Sequence, residues 1–359
     1  MRFLTVTLNP AIDLVGVTEI LRIGDVNSIK TLSQHPAGKG INVAQVLRKL
    51  DVQVTATGFL GWENVGVFQQ LFQENQISDE FIYLDGQTRT NIKITSAGDT
   101  TDLNFTGFQV SPEQWALLCE RSQDWHERFD CVLICGSLPQ GVSAEMFAEW
   151  CHELTRQGVH WVLDTSKATL KLAVVAKPIL IKPNSEELQV LAGSTPVTTI
   201  EDQCRLAKKL CQEYTQYVLL SSGDKGAYLV SRYNDEIYHA VLPCKKVIST
   251  TGAGDSLLAS FIAYFLDKHS DIEVALRHAV VIATLVVESS GIDWQPDEVK
   301  KTAALCSIFS FSIKLLGSYY ENCTLLSLLF RRRTHCLTQC TFTACFNCSR
   351  EYHRSYRAV

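Results

Sequence analysis

Cys131-Val132-Leu133-Ile134-Cys135, closed at once by Gly136-Ser137-Leu138-Pro139, decides the fold class. Five apolar residues without polar alternation read as a strand covered on both faces, and helical patterns at 112–128 and 143–157 flank it. The rhythm continues downstream with short apolar strands at 161–163, 179–181 and 218–220, helical stretches between them, and helices near 254–266 and 272–288. Upstream, residues 3–8 alternate as a half-buried strand does. Val43, Val46, Leu47 and Leu50 mark an amphipathic helix over 42–50, followed by a strand near 52–59 and a helix near 65–73. Strands alternating with helices of 10–15 residues predict an α/β fold, a mostly parallel sheet with helices on both faces. Two polar-alternating runs, 91–95 and 101–105, turn at Ala97-Gly98-Asp99 as a hairpin. With the segment near 10–35 they form a small β-rich insert from about 10–35 and 88–108.

Composition narrows the function classes. The chain has 359 residues, 46% hydrophobic and 20% charged, with a net charge of -5, which argues against a broad nucleic-acid surface. MRFLTVTLNP breaks at Asn9-Pro10 and lacks the apolar core and cleavage site of a signal peptide, so the expectation is a cytoplasmic protein. Seven of the 13 cysteines are scattered before residue 306, as reduced intracellular thiols are.

The strongest chemical signal is Ser249-Thr250-Thr251-Gly252-Ala253-Gly254-Asp255-Ser256, opening the apolar helix of Leu257, Leu258, Phe261, Ile262 and Phe265. Glycines at a helix start leave bare N–H groups for an anion, and Asp255 in the first turn can take a proton from a hydroxyl. The plain alternative is a Gly-capped helix with an N-terminal charge. Ala37-Gly38-Lys39-Gly40-Ile41-Asn42 is a second glycine turn into a helix, without the Walker A spacing; Lys39 and Asn42 can reach a phosphate or a sugar hydroxyl there, or the turn is structural. Lys182-Pro183-Asn184-Ser185-Glu186-Glu187 follows a strand; Asn184 and Glu187 suit a hydrated Mg²⁺ with its nucleotide phosphates, or an ordinary capping box. Ser221-Ser222-Gly223-Asp224-Lys225-Gly226 is a hairpin turn or a loop lining a nucleotide pocket, and Arg89, near Lys93, is a fork for a phosphate or a solvated cation. All these loops fall at strand C-termini, where a parallel sheet puts ligands. No G-x-G-x-x-G follows the first strand, which weighs against a nicotinamide-dependent reading.

In order and spacing, NPAID at 9–13, AGKGIN at 37–42, TRTN at 88–91, GSLP at 136–139, KPNSEE at 182–187 and TTGAGDS at 250–256 resemble the ribokinase-like (phosphofructokinase B) family of sugar kinases, over about residues 1–290. That resemblance implies a Rossmann-like domain with a small β-sheet lid, ATP and Mg²⁺, and a homodimer paired through the lids. Joined by TDLNFTGF at 101–108, it implies transfer to the 6-hydroxyl of D-fructose 1-phosphate, with tagatose 6-phosphate and fructose 6-phosphate as alternative acceptors. It gives Asp255 the role of base and Gly252, Ala253 and Gly254 that of anion hole. Asp13, Gly38, Lys39, Asn42, Arg89 and Ser137 fall to the sugar phosphate. Lys182, Asn184, Ser221, Ser222, Gly223, Asp224, Lys225, Gly226 and Thr251 fall to ATP, and Glu187 to Mg²⁺ through water. Ser221-Ser222-Gly223 departs from the family's Ser-Leu-Gly.

The domain is expected to end near residue 302. From Ala303 onward seven Lys/Arg face two carboxylates, leaving -10 on residues 1–302, and six cysteines (Cys306, Cys323, Cys336, Cys340, Cys345 and Cys348) crowd the last 54 positions. Lys314 and Glu321-Asn322 interrupt the apolar runs before a membrane span is reached. The Cys336, Cys340, Cys345 and Cys348 spacing beside His335 fits no standard zinc pairing. Translation past a frameshift or a lost stop would give such a tail. The alternative to an active kinase is then a non-catalytic sugar-phosphate binder, its adenine wall damaged by that tail.

Overall fold

The computed structural model describes residues 1–267, 270–289 and 291–313. Its large sheet has eleven strands. From one edge the order is Ser307–Ser312, Glu236–Val241, Ala227–Ser231, Tyr217–Ser221, Leu180–Ile181, Trp161–Asp164, Cys131–Cys135, Arg2–Thr7, Gln53–Gly61 and Ser78–Asp79; Ile82–Leu84 also pairs with Gln53–Gly61. Pairing is parallel from Tyr217–Ser221 to the Ser78–Asp79 edge, and antiparallel over the last three pairs at the other.

Period-two alternation divides each strand between two cores. Cys131, Leu133 and Cys135 face helices Lys39–Lys49, Gly66–Glu74, Ala253–Ile262 and Ile272–Val287, whereas Val132 and Ile134 face Pro112–Arg121, Ala144–Arg156, Ser185–Ala192 and Ile200–Glu213. The chain runs from Arg2–Thr7 to Gln53–Gly61 on one side and returns to Cys131–Cys135 on the other. The carboxyl ends of these strands therefore open onto the crevice of a topological switch.

Where the structure departs from the sequence reading, the cause is local. The helix expected over 112–128 is two, Pro112–Arg121 and Trp125–Arg128. Buried Ser122 interrupts it: its hydroxyl donates to the Cys119 carbonyl at 2.7 Å and accepts the Trp150 indole N–H at 3.0 Å. The helix expected over 254–266 is α-helical at Ala253–Ile262 and widens to a π turn at Ala263–Asp267.

The insert is a separate four-stranded sheet in the order Lys30–Ala37, Ala11–Thr18, Thr90–Ser96, Asp99–Asn104, with the Ala97-Gly98 turn at φ 51 and 94. The large sheet runs beyond residue 302. Its edge strand Ser307–Ser312 pairs with Glu236–Val241, and Phe309 stacks on His239, which stacks on Tyr228 with 4.1 Å between centroids. Among the described residues no helix is long and apolar enough to cross a membrane. His335 and the five cysteines from Cys323 to Cys348, with the readings that rest on them, lie outside the described residues.

Candidate active site

Four strand ends and the lid converge on one cavity of about 750 Å³. Its floor is the turn into helix Ala253–Ile262. Gly252 caps it at φ 80, a left-handed geometry that glycine adopts without a Cβ penalty, and Gly252, Ala253 and Gly254 all line the cavity. Asp255, in that turn, is buried and accepts a 2.8 Å hydrogen bond from Asn42 Nδ2 of helix Lys39–Lys49. Burial, then the Asp164 anion, pushes the Asp255 carboxyl up to about 6 against the pull of Lys39, Asn42 and Lys182.

Beside it stands a triad that the sequence motifs do not connect. Asp164, at the end of its strand, has no side-chain exposure; Lys39 Nζ lies 2.9 Å from Oδ1 and Lys182 Nζ 3.3 Å from Oδ2. Burial disfavours the Lys39 charge, but Asp164, Asp255 and Glu187 outweigh it and hold its pKa above the usual lysine value. A Cβ built on Gly254 would meet Lys182 Nζ at 3.3 Å, so this ammonium lies against the glycine turn.

The lid supplies a polar end. Asp13 Oδ1 accepts from Asn91 Nδ2 and Oδ2 from Lys93 Nζ, each at 3.0 Å, and Lys93 Nζ also reaches Thr251 Oγ1 at 3.2 Å. Arg89 donates to the carbonyls of Pro10, Phe105 and Asn9 at 3.2–3.3 Å, and burial lowers its pKa. The half-buried guanidinium is thus tied to three carbonyls at the cavity wall.

At the other end Asn184 and Glu187 form the capping box of helix Ser185–Ala192: Glu187 N–H donates to Asn184 Oδ1 at 2.7 Å and Asn184 N–H to Glu187 Oε2 at 3.0 Å. The capping box is present, and both capping residues also line the cavity. Ser221 N–H donates to the Pro183 carbonyl at 3.0 Å, tying the neighbouring loop to this one. Gly226, at φ 81, closes that loop against Ala240. Beyond lies an apolar wall of Leu242, Val247, Val280, Ala283 and Val287. Every wall residue precedes 303, and the tail to which damage was ascribed lies almost wholly outside the described residues.

Of the residues singled out from sequence, Asp13, Gly38, Lys39, Asn42, Arg89, Lys182, Asn184, Glu187, Ser221, Gly223, Asp224, Gly226, Thr251, Gly252, Ala253, Gly254 and Asp255 line the cavity. Ser137, Ser222 and Lys225 are outside the lining. Ser137 Oγ accepts from Asn9 Nδ2 at 3.3 Å, and the backbones of Ser222 and Lys225 close the glycine loop. Asp164 and the apolar wall carried no motif, and Asn91, inside TRTN, carried no assigned role. A lone buried Asp closing an apolar strand at a parallel sheet's carboxyl edge was the available signal for the first.

Among the described residues no three His, Cys, Asp or Glu side chains gather to cage a metal ion. Glu187 beside Asn184 fits a hydrated divalent cation carried with nucleotide phosphates, since Mg²⁺ keeps most of its waters and takes one or two carboxylates.

The family model for pfkB family carbohydrate kinases matches residues 5–296. The chain is 41% identical over 290 residues to a Haemophilus influenzae 1-phosphofructokinase (80% of this chain, 91% of the relative) and 41% identical over 292 residues to that of Escherichia coli (81% and 92%). The Bacillus subtilis 1-phosphofructokinase is 33% identical over 80% of this chain and 94% of its own. Among solved structures, Escherichia coli phosphofructokinase-2 superposes with a TM-score of 0.76 at 24% identity, covering 85% of this chain and 99% of its own. Thermotoga maritima ribokinase superposes at 0.69 and 18% identity (85% and 99%); both likenesses show the ribokinase-like fold.

Proposed function

The chain belongs to the pfkB family of carbohydrate kinases, a phosphotransferase acting on a sugar phosphate with ATP, and we propose that its acceptor is the 6-hydroxyl of D-fructose 1-phosphate. The products are then fructose 1,6-bisphosphate and ADP. The observation that carries the reading is buried Asp255 beside the Gly252–Gly254 turn at a helix start, with two ammonium groups next to it.

Phosphoryl transfer is chiefly positioning and charge stabilisation. Asp255, with a carboxyl at about 6, is mostly ionised near pH 7 yet basic enough to take the hydroxyl proton as the oxygen attacks. The backbone N–H groups of the glycine turn and the Lys39 and Lys182 ammonium groups meet the negative charge on the transferring group. Asp13, held by Asn91 and Lys93, accepts sugar hydroxyls, and Arg89 faces the acceptor's phosphate. The apolar wall takes the adenine, while the Ser221–Gly226 loop takes the ribose and phosphates. A divalent cation, when bound, neutralises the nucleotide phosphates; Asn184 and Glu187 hold its waters. The Lys93 contact to Thr251 bridges lid and floor, so the lid shields the transferring group from water.

Exposed Leu32 and Leu103 on the lid strands, with exposed Phe105 just past the second, support a homodimer through this sheet. A coupled ADP-release assay with fructose 1-phosphate, fructose 6-phosphate and tagatose 6-phosphate tests the acceptor. The highest kcat/KM on fructose 1-phosphate is expected, and preference for another acceptor overturns the assignment while leaving the kinase chemistry.

A further inference from the structure

Asp164 occupies a place where an anion is expensive and a hydrophobic residue would fit. It ends an apolar strand, its side chain is fully buried, and it faces solvent nowhere. A buried carboxylate persists when partners hold it, and both of its partners line the cavity: Lys39 from the first turn of its helix and Lys182 from the loop after Leu180–Ile181. Lys182 Nζ in turn lies against Gly254. One carboxylate therefore ties two cations from distant parts of the chain to the turn where charge accumulates.

We propose that Asp164 is a positioning residue of the transfer site, a buried anion that holds the Lys39 and Lys182 ammonium groups on the glycine turn and sets the field at Asp255. This rests on the reading of Asp255 as the base. The groups facing Asp255 are Asn42, at 2.8 Å, the two lysines, Asp164, and the Cys135 thiol at the neighbouring strand end. Asp164 opposes ionisation of Asp255, and the lysines favour it. Neutralising Asp164 removes the opposing charge, leaves both cations, and makes Asp255 the stronger acid, while the lysines lose the group that aims them.

The test is the pH dependence of kcat/KM for the sugar phosphate in the full-length protein and in Asp164→Asn, Asp164→Glu and Asp255→Asn. In Asp164→Asn the acidic limb should move down by about one pH unit, the scale of a neighbouring charge's effect on a carboxyl. KM for MgATP should rise at least tenfold. An acidic limb that stays in place in a variant melting as the parent does overturns the proposal, because a merely structural Asp164 would leave the limb alone. Should Asp164→Asn not fold, Asp164→Glu carries the test: a limb at the parent position with reduced turnover supports the role, and a limb displaced by a full unit overturns it. Turnover surviving in Asp255→Asn would instead remove the base assignment. Loss of turnover there, with an unmoved limb in Asp164→Asn, removes this proposal alone.

Discussion

Replacing Asp255 by Asn should stop the enzyme and strengthen the fold. The carboxyl stands at about 6 in the folded chain against an ordinary 3.8, because burial and Asp164 penalise its charge more than Lys39, Asn42 and Lys182 repay. A group that is a weaker acid in the folded state favours folding below its unfolded pKa and loses that contribution as the pH rises through its folded pKa. Two units at 1.36 kcal/mol each cost about 3 kcal/mol once the pH is well above 6. Asn has nearly the same shape, is neutral throughout, and keeps an oxygen for the Asn42 amide. Urea unfolding of the parent and Asp255→Asn should therefore show the variant more stable by about 1–3 kcal/mol at pH 8, with roughly half that advantage left at pH 5. Turnover in the same preparation should fall at least about 10²-fold. A variant no more stable than the parent at pH 8, or an advantage that does not shrink on acidification, refutes the electrostatic account of the site.

Lys182→Met should raise KM for ATP at least tenfold while leaving KM for the sugar phosphate within about twofold, read from initial rates with each substrate varied. Because Asp164 keeps Lys39, its stability cost should be about 1–3 kcal/mol, less than that of an anion left alone. Gly226→Ala puts a Cβ 2.1 Å from the Ala240 carbonyl oxygen at φ 81, so the nucleotide loop must shift; a stability loss of about 1–3 kcal/mol and a raised KM for ATP are expected, and a silent substitution would refute the turn's role. Chelation with EDTA should abolish turnover and excess Mg²⁺ restore it, with the melting temperature moving by no more than about 1 °C, since no cluster among the described residues cages an ion. A fall of several degrees would mean that the fold itself depends on a metal.

Much of this molecule is legible in one dimension. Apolar pentads between amphipathic helices give a two-faced parallel sheet, because an uninterrupted apolar strand has no other place to be buried. The glycine turns at 38–40 and 252–254 are legible because glycine at a helix start is a local pattern. The interruption at Ser122 was hidden, since it depends on the Trp150 indole of another helix. The edge strand Ser307–Ser312 was hidden too; its pairing with Glu236–Val241 joins residues about 70 positions apart across a change in composition.

The sequence by itself determined the α/β class, the order of the loops around the crevice and the identity of Asp255 and its glycine turn. Tertiary structure alone decided which charges those groups would face. Lys39, Asp164 and Lys182 belong to three separate segments, and nothing along the chain links them. Their coupling arises because strand and helix ends meet at one edge of the sheet, bringing the two ammonium groups to 2.9 and 3.3 Å from a fully buried carboxylate. Electrostatic energy depends on distance through space and on burial, and neither is written in the spacing of residues along the chain.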